Sequence, residues 1–223
     1  MASCALLRGG EVIFRESSGV RTHSQSVLPM VQELLDEAGI VLRDCDAIAY
    51  GAGPGSFTGV RTACGISQGL GFGAGLPLVP VVTLDAMALA CRHAHGADAV
   101  LAVLDARMNE VYWAQYRFDG DTPVATLVPA LSAPADVAPA APAAPLSACG
   151  NGFSAYAEPF AGKPFAAGAD AAIMPHAVQI ARLGARLFEQ GHAVPAAQAQ
   201  PLYLRNKVAY TKEERAEMKA SQA

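Results

Sequence analysis

The stretch Gly51-Ala52-Gly53-Pro54-Gly55-Ser56-Phe57-Thr58-Gly59-Val60-Arg61-Thr62 constrains the fold more than any other part of the chain. It joins a short apolar run, Asp46-Ala47-Ile48-Ala49-Tyr50, to a segment that returns to helical spacing from Val60, so it reads as strand, tight loop, helix. Loops of this shape often bind phosphate, because small residues let backbone N–H groups approach an anion and the helix N-terminus adds a favourable dipole. The specific phosphate motifs are missing, however. No Lys follows the loop, so it is not a Walker A, and Ser56 and Thr58 stand where a G-x-G-x-x-G fingerprint needs glycine. Pro54 likewise occupies the first glycine position of G-x-S-x-G around Ser56. The stretch reads first as a turn that caps a helix; a phosphate or nucleotide contact through Gly53, Gly55, Ser56, Thr58, Gly59 and Arg61 is the alternative.

The following helix, expected over 60–73, carries Gly65, Gly69 and Gly73 at a spacing of four, so they line one side. Each costs about 1 kcal/mol relative to alanine in a helix interior. Repetition of that cost implies that something packs very close there, either another element of this chain or a second subunit. A second amphipathic helix is expected over 24–38, with Ser24 as a cap, Gly39 as its end, and apolar positions Val27, Leu28, Val31, Leu34, Leu35 and Ala38. Leu28 and Met30 widen its stripe beyond one side, which suits either burial on two faces or a flank turned to a partner.

With 223 residues and 52% hydrophobic content, the chain is expected to be globular, with a substantial core. A net charge of −4 argues against nucleic-acid binding by this chain alone, which calls for a basic face. Cys4, Cys45, Cys64, Cys91 and Cys149 are scattered and form no C-x-x-C pair, as in a reduced, cytoplasmic protein. No apolar run approaches the roughly 20 residues that span a bilayer, so a soluble protein is expected.

Along the rest of the chain, 3–7 and 11–16 read as a hairpin, 78–82 as a strand and 83–91 as a helix capped by Thr83. A boundary falls near Gly96. Strands are expected at 99–104, 110–116 and near 125–128. The Ala/Pro-rich residues 129–147 read as a surface loop, 176–189 as a helix, and 201–205 as a short extended segment. In the charged tail, Thr211 and Glu214 fit a capping box. His93 and His95 fall on different sides of a helix and have no third ligand nearby, so no metal site is expected. Asp105 and Arg107 read as an ion pair holding a turn rather than as an active-site pair.

Tyr50-Gly-Ala-Gly-Pro-Gly-Ser-Phe-Thr-Gly-Val-Arg-Thr, followed by Gly-Ile-Ser-Gln-Gly-Leu, resembles the signature of the TsaB family. The resemblance continues through His23-Ser24, Leu28-Pro29-Met30-Val31, Thr83-Leu84, Leu104-Asp105-Ala106-Arg107, Glu110-Val111-Tyr112 and Pro201-Leu202-Tyr203-Leu204-Arg205, and so covers nearly the whole chain. It implies an α/β protein of the actin-like, sugar-kinase-like (ASKHA) class. Two RNase H-like subdomains with mixed sheets flanked by helices are expected at 1–96 and 97–206, before a charged tail at 207–223. Members of such a fold open with a strand that is not found here, so about ten further residues, a strand and its turn, are expected upstream of Met1.

The same resemblance implies a non-catalytic scaffold in the cytoplasmic complex that makes threonylcarbamoyladenosine at position 37 of tRNAs reading codons that begin with A. It implies direct pairing with the transferase TsaD, a further partner in the ATPase TsaE, and contact with tRNA only through the complex. The partner-binding residues would be Val27, Leu28, Val31, Leu34, Leu35, Gly65, Gly69 and Gly73, so Gly69→Leu or Leu35→Asp is expected to abolish association. Without TsaD the same face would pair as a homodimer. No catalytic residue and no cofactor is expected for the lone chain; ATP or ADP at the interface with TsaD is the exception. The alternative is a weak nucleotide-binding protein or ATPase, or a peptidase-like enzyme of the same fold.

Overall fold

The computed structural model describes residues 2–17 and 23–205. The tail and its Thr211–Glu214 capping box lie outside the described residues. Strands β1 (Ala2–Arg8) and β2 (Glu11–Ser17) form the expected antiparallel hairpin. Helix α1 (His23–Ala38) follows, starting one residue before Ser24. Strand β3 (Ile48–Gly53) leads through the glycine loop into α2 (Phe57–Ala74), and β4 (Leu78–Val82) returns parallel to β3. Helix α3 (Thr83–His95) begins directly after β4; Thr83 is its buried first residue and Val82 its N-cap, which makes no side-chain capping bond.

The next strands are β5 (Ala99–Arg107), β6 (Glu110–Asp119), β7 (Thr122–Ser132) and β8 (Leu146–Cys149), arranged β7-β6-β5-β8 with β8 parallel to β5. β7 runs beyond the expected 125–128, into the Ala/Pro-rich stretch. It holds its pairing with β6 through two register shifts, so Ala130 and Leu131 still find partners in Trp113 and Tyr112. Short helices α4 (Gly152–Ala155) and α5 (Ala157–Phe160) precede α6 (Ala177–Glu189). His176 caps α6, its Nδ1 accepting the Val178 N–H at 3.2 Å.

Period-two alternation along β5 separates two cores. Val100, Ala102 and Leu104 pack with Leu84, Met87, Ala88 and Cys91 of α3. Leu101 and Val103 pack on the other face with Val137, Phe153 and Phe160. In the first half of the chain, Leu78 joins Tyr50, Ala52 and Cys64 beneath α2, while Val79 and Val81 turn to Ala86 and Leu89 of α3 and Ile180 and Leu183 of α6. A linear division at residue 96 assigns α6 to the second half, yet in space α6 lies against β1, β3 and β4. Gly184 makes that approach possible, since a Cβ there would sit 2.3 Å from the Ala49 Cβ. β1 and β3 do not pair; both border a cavity of about 1570 Å³.

Candidate functional site

The glycine loop is built around helix capping and a crossing strap of chain. Ser56 adopts extended backbone angles (φ −61°, ψ 135°), and its Oγ accepts the Gly59 N–H at 3.1 Å, which starts α2. A Cβ at Gly59 would stand 2.6 Å from that Oγ, so the cap itself requires glycine. Gly53 has φ +116°, and a Cβ there would meet the Leu202 carbonyl oxygen at 2.7 Å. The Leu202 N–H donates to the Ala52 carbonyl at 2.7 Å, and the Tyr50 hydroxyl to the Gln200 carbonyl at 3.0 Å. Internal packing thus accounts for both glycines. Gly55 is half-buried against Val60, and the loop leaves Thr58 and Arg61 exposed.

The outer side of α2 is open. Val60, Cys64, Ser67 and Gly71 face inward, and Gly71 is the helix glycine under close approach, where a Cβ would lie 2.7 Å from Leu78 Cδ2. A Cβ on Gly65, Gly69 or Gly73 would meet nothing within 4 Å, and all three are exposed. Of the two coverings the sequence allowed for this side, an element of this chain is therefore ruled out among the described residues. Phe72 shares the stripe and is 83% exposed. At the start of the helix the Arg61 guanidinium lies 3.6 Å from the Phe57 ring centroid, and its Nε donates to the Tyr203 hydroxyl at 2.7 Å. Phe57 and Tyr203 are themselves partly exposed.

On α1, Leu28 is exposed and Val27 and Val31 are half-buried, whereas Leu34 and Leu35 are buried at 3% and 7% exposure. Leu34 and Leu35 therefore belong to the interior, a correction to their expected place on an open face. The reason lies in the polar residues between them and the next turn: Gln32, Glu33, Asp36 and Glu37 take the outer side. Arg15 of β2 pairs with Glu33 at 3.2 Å and with Glu37. The exposed contribution of α1 falls to Leu28.

Arg61 was among the loop residues singled out by the sequence, whereas the aromatic members of this surface, Phe57, Phe72 and Tyr203, were not named as site residues. Phe72 was accessible to it, because it falls at helical spacing (i+3) from Gly69 on the glycine-lined side. Tyr203 reaches Arg61 across 142 positions of sequence, which no local pattern reports.

Titratable groups elsewhere are engaged in structure. Asp105 is nearly buried; it accepts the Arg107 backbone N–H at 2.7 Å and the Tyr156 hydroxyl at 3.0 Å, and it pairs with the Arg107 guanidinium at 3.1 Å. This is the expected ion-paired turn, and Arg107, Met108 and Asn109 all take positive φ within it. Arg205 braces it by donating to the Arg107 carbonyl at 3.2 Å and pairing with Glu110. His93 faces Asp121 at 3.6 Å and His95 faces Asp170 at 3.0 Å. The His95 hydrogen bond is the main reason the Asp170 carboxyl lies below its usual range. Among the described residues no three His, Cys, Asp or Glu side chains gather as a metal site, and no helix is long and apolar enough to cross a membrane. Burial pushes the Asp85 carboxyl up to about 6, against the pull of the Tyr116 hydroxyl that donates to it at 2.7 Å.

Comparison with known proteins places this geometry in context. The family model described as "TsaD: tRNA N6-adenosine threonylcarbamoyltransferase" matches residues 13–221. The chain is 38% identical to the tRNA threonylcarbamoyladenosine biosynthesis protein TsaB of Escherichia coli K12, over 94% of this chain and 92% of that protein. It is also 38% identical to the TsaB protein of Haemophilus influenzae, over 94% and 91%. Among solved structures, YeaZ from Pseudomonas aeruginosa superposes with a TM-score of 0.84 at 40% identity, covering 91% of this chain and 93% of that one. A second Pseudomonas aeruginosa structure, described as an uncharacterized protein with similarity to peptidase YeaZ, gives the same TM-score and identity.

Proposed function

This chain belongs to the TsaB family, and from that premise we propose that it is a non-catalytic subunit in the biosynthesis of threonylcarbamoyladenosine in tRNA, docking a TsaD transferase through the outer side of α2. One observation carries the docking reading: Gly65, Gly69 and Gly73 leave an exposed, side-chain-free track on a helix, flanked by Phe72 at one end and the Arg61, Phe57 and Tyr203 cluster at the other. A bare track lets another helix backbone come close, and aromatic and arginine side chains are the residues that most often anchor interfaces. Leu28 extends the apolar surface at the start of α1. The non-catalytic reading is supported by Ser56 serving as a helix cap and by the Asp105–Arg107 pair serving a turn. The ATPase TsaE and tRNA would meet this chain through the assembly, and any ATP or ADP would sit at the shared interface.

The test is co-purification with TsaD from the same organism. Gly69→Leu and Leu28→Asp each change an exposed position and are expected not to lower the melting temperature, Gly69→Leu raising it slightly by removing a helix glycine, while weakening association by about tenfold or more. Retention of full association by both variants would show that the face is wrongly assigned. Tight ATP binding with turnover by the isolated chain would overturn the non-catalytic reading.

A further inference from the structure

Residues 199–205 form no regular element, yet they are tied down along their length, and the ties change sides partway. From Ala199 to Tyr203 they hold to the first half of the chain. The Ala199 carbonyl accepts the Gln68 Nε2–H at 2.9 Å, the Gln200 carbonyl accepts the Tyr50 hydroxyl at 3.0 Å, and the Leu202 N–H donates to the Ala52 carbonyl at 2.7 Å. The Tyr203 hydroxyl accepts the Arg61 Nε–H at 2.7 Å, and its ring lies 6.5 Å from that of Phe57. Leu204 and Arg205 hold to the second half. Leu204 packs against the core that contains Leu104 and Tyr112. Arg205 donates to the Met108 thioether and to the Arg107 carbonyl, both at 3.2 Å, and pairs with Glu110.

The two ends of this strap differ in exposure and in strain. Tyr203 and Phe57 are 46% and 41% exposed, on the outer surface of α2. The Arg205 side chain is only 15% exposed, so it offers a docked protein little to touch. It clamps a turn in which three successive non-glycine residues, Arg107, Met108 and Asn109, have φ of 61°, 58° and 57°. L-residues adopt that conformation at a cost and keep it only where their surroundings fix it. The clamp itself is incompletely satisfied, because Arg205 Nε is buried with no partner among the described residues, a loss that works against closure. Between Tyr203 and Arg205 stands a single residue, so their Cα atoms can separate by at most about 7 Å. Leu204 is held by the core, which leaves no slack between the ends.

We propose that the strap couples the outer surface of α2 to the turn at 107–110. A protein docked over Arg61, Phe57 and Tyr203 fixes Tyr203, Leu204 passes the restraint on, and Arg205 stays closed on Arg107 and Glu110. The turn is then held in its left-handed form, with the Arg107 side chain, 86% exposed, kept in one place. Coupling of this kind is reciprocal: opening the clamp weakens docking by the same factor by which docking closes it. The identity of the docked protein rests on the TsaD reading above; the coupling of the two ends does not.

Hydrogen exchange at the amides of residues 107–110 reads the clamp, in the isolated chain and with saturating TsaD. Arg61→Ala removes an exposed side chain from the α2 end. In the isolated chain it is expected to lower protection at 107–110 about threefold or more, while the amides of β5 keep theirs. Unchanged protection at 107–110 would overturn the proposal whatever the partner. TsaD is expected to raise protection at 107–110 about fivefold or more in the unaltered chain but not in Glu110→Gln or Arg205→Ala, with α2 protected in all three. Both variants should also bind TsaD about fivefold more weakly, although neither residue lies on the outer side of α2. Protection of α2 with no gain at 107–110 would overturn the coupling and leave the docking reading standing. An equal gain in the two variants would overturn it as well, since TsaD would then touch the turn directly. Failure of TsaD to protect α2 would instead refute the docking reading, and the Arg61→Ala comparison would decide the coupling alone.

Discussion

Replacing Gly65, Gly69 and Gly73 together with alanine separates two roles that a helix glycine can have. All three lie within α2, and a Cβ at any of them would meet nothing within 4 Å. None has a positive φ, so alanine introduces no backbone strain. The glycines then contribute only the entropy they lose on folding, worth about 1 kcal/mol each relative to alanine. Neighbouring sites a turn apart do not add perfectly, so the triple variant is expected to gain about 2–3 kcal/mol. At 2–4 °C per kcal/mol for a chain of this size, the melting temperature should rise by roughly 5–10 °C. Calorimetry of the isolated chain measures this directly, and a parallel titration with TsaD measures the other side, where three methyl groups on the bare track are expected to weaken binding. An unchanged or lowered melting temperature would refute the reasoning, because it would mean that the isolated chain packs something against that side. A higher melting temperature with undiminished binding would leave the stability argument standing and remove the track from the interface.

Two further perturbations probe the interior. The Asp85 carboxyl, raised by burial to about 6 from an ordinary value of 3.8, holds a proton in the folded chain that the unfolded chain gives up. Its contribution is therefore complete below about pH 4 and is lost as pH rises to about 6, a change on the order of 3 kcal/mol; Asp85→Asn is expected to flatten that part of the profile in urea denaturation at pH 4, 5 and 7. Gly150 has φ +110°, and a Cβ there would stand 2.1 Å from the Val103 carbonyl oxygen and 2.5 Å from Met87 Cε. Gly150→Ala should cost more than about 3 kcal/mol, read as a fall in the denaturation midpoint, and a loss below about 1 kcal/mol would show that β8 shifts freely.

Local chemistry made much of this fold legible in the sequence. The hairpin of β1 and β2, the strand-loop-helix around Ser56 and the paired strands β5 and β6 were all written in turn residues and alternation, which act over a few positions. The wide stripe of α1 was also visible, but periodicity could not say which edge of the stripe faces inward; Leu34 and Leu35 do, and Leu28 does not. Four glycines fall between 65 and 73, and sequence spacing selected Gly65, Gly69 and Gly73 while the tight contact belongs to Gly71, because that contact depends on where Leu78 and Ala196 arrive. The bracing of the 107–109 turn by Arg205 and the stacking of Arg61 near Tyr203 span about a hundred residues or more, beyond the reach of any local pattern. β7 outran its expected length because register shifts let strand pairing continue into a composition that looked like loop.

The two faces of α3 have a consequence for how the molecule melts and how it can be divided. Leu84, Met87, Ala88 and Cys91 fill the core beneath β5, while Ala86 and Leu89, one step round the same helix, fill the core shared by β4 and α6. A fragment ending at residue 96 would carry four uncovered side chains of the first set, and the remaining fragment would have α6 with no sheet to rest on. The two halves therefore inherit their stability jointly, should unfold in one transition, and would be recognised by proteases as one object.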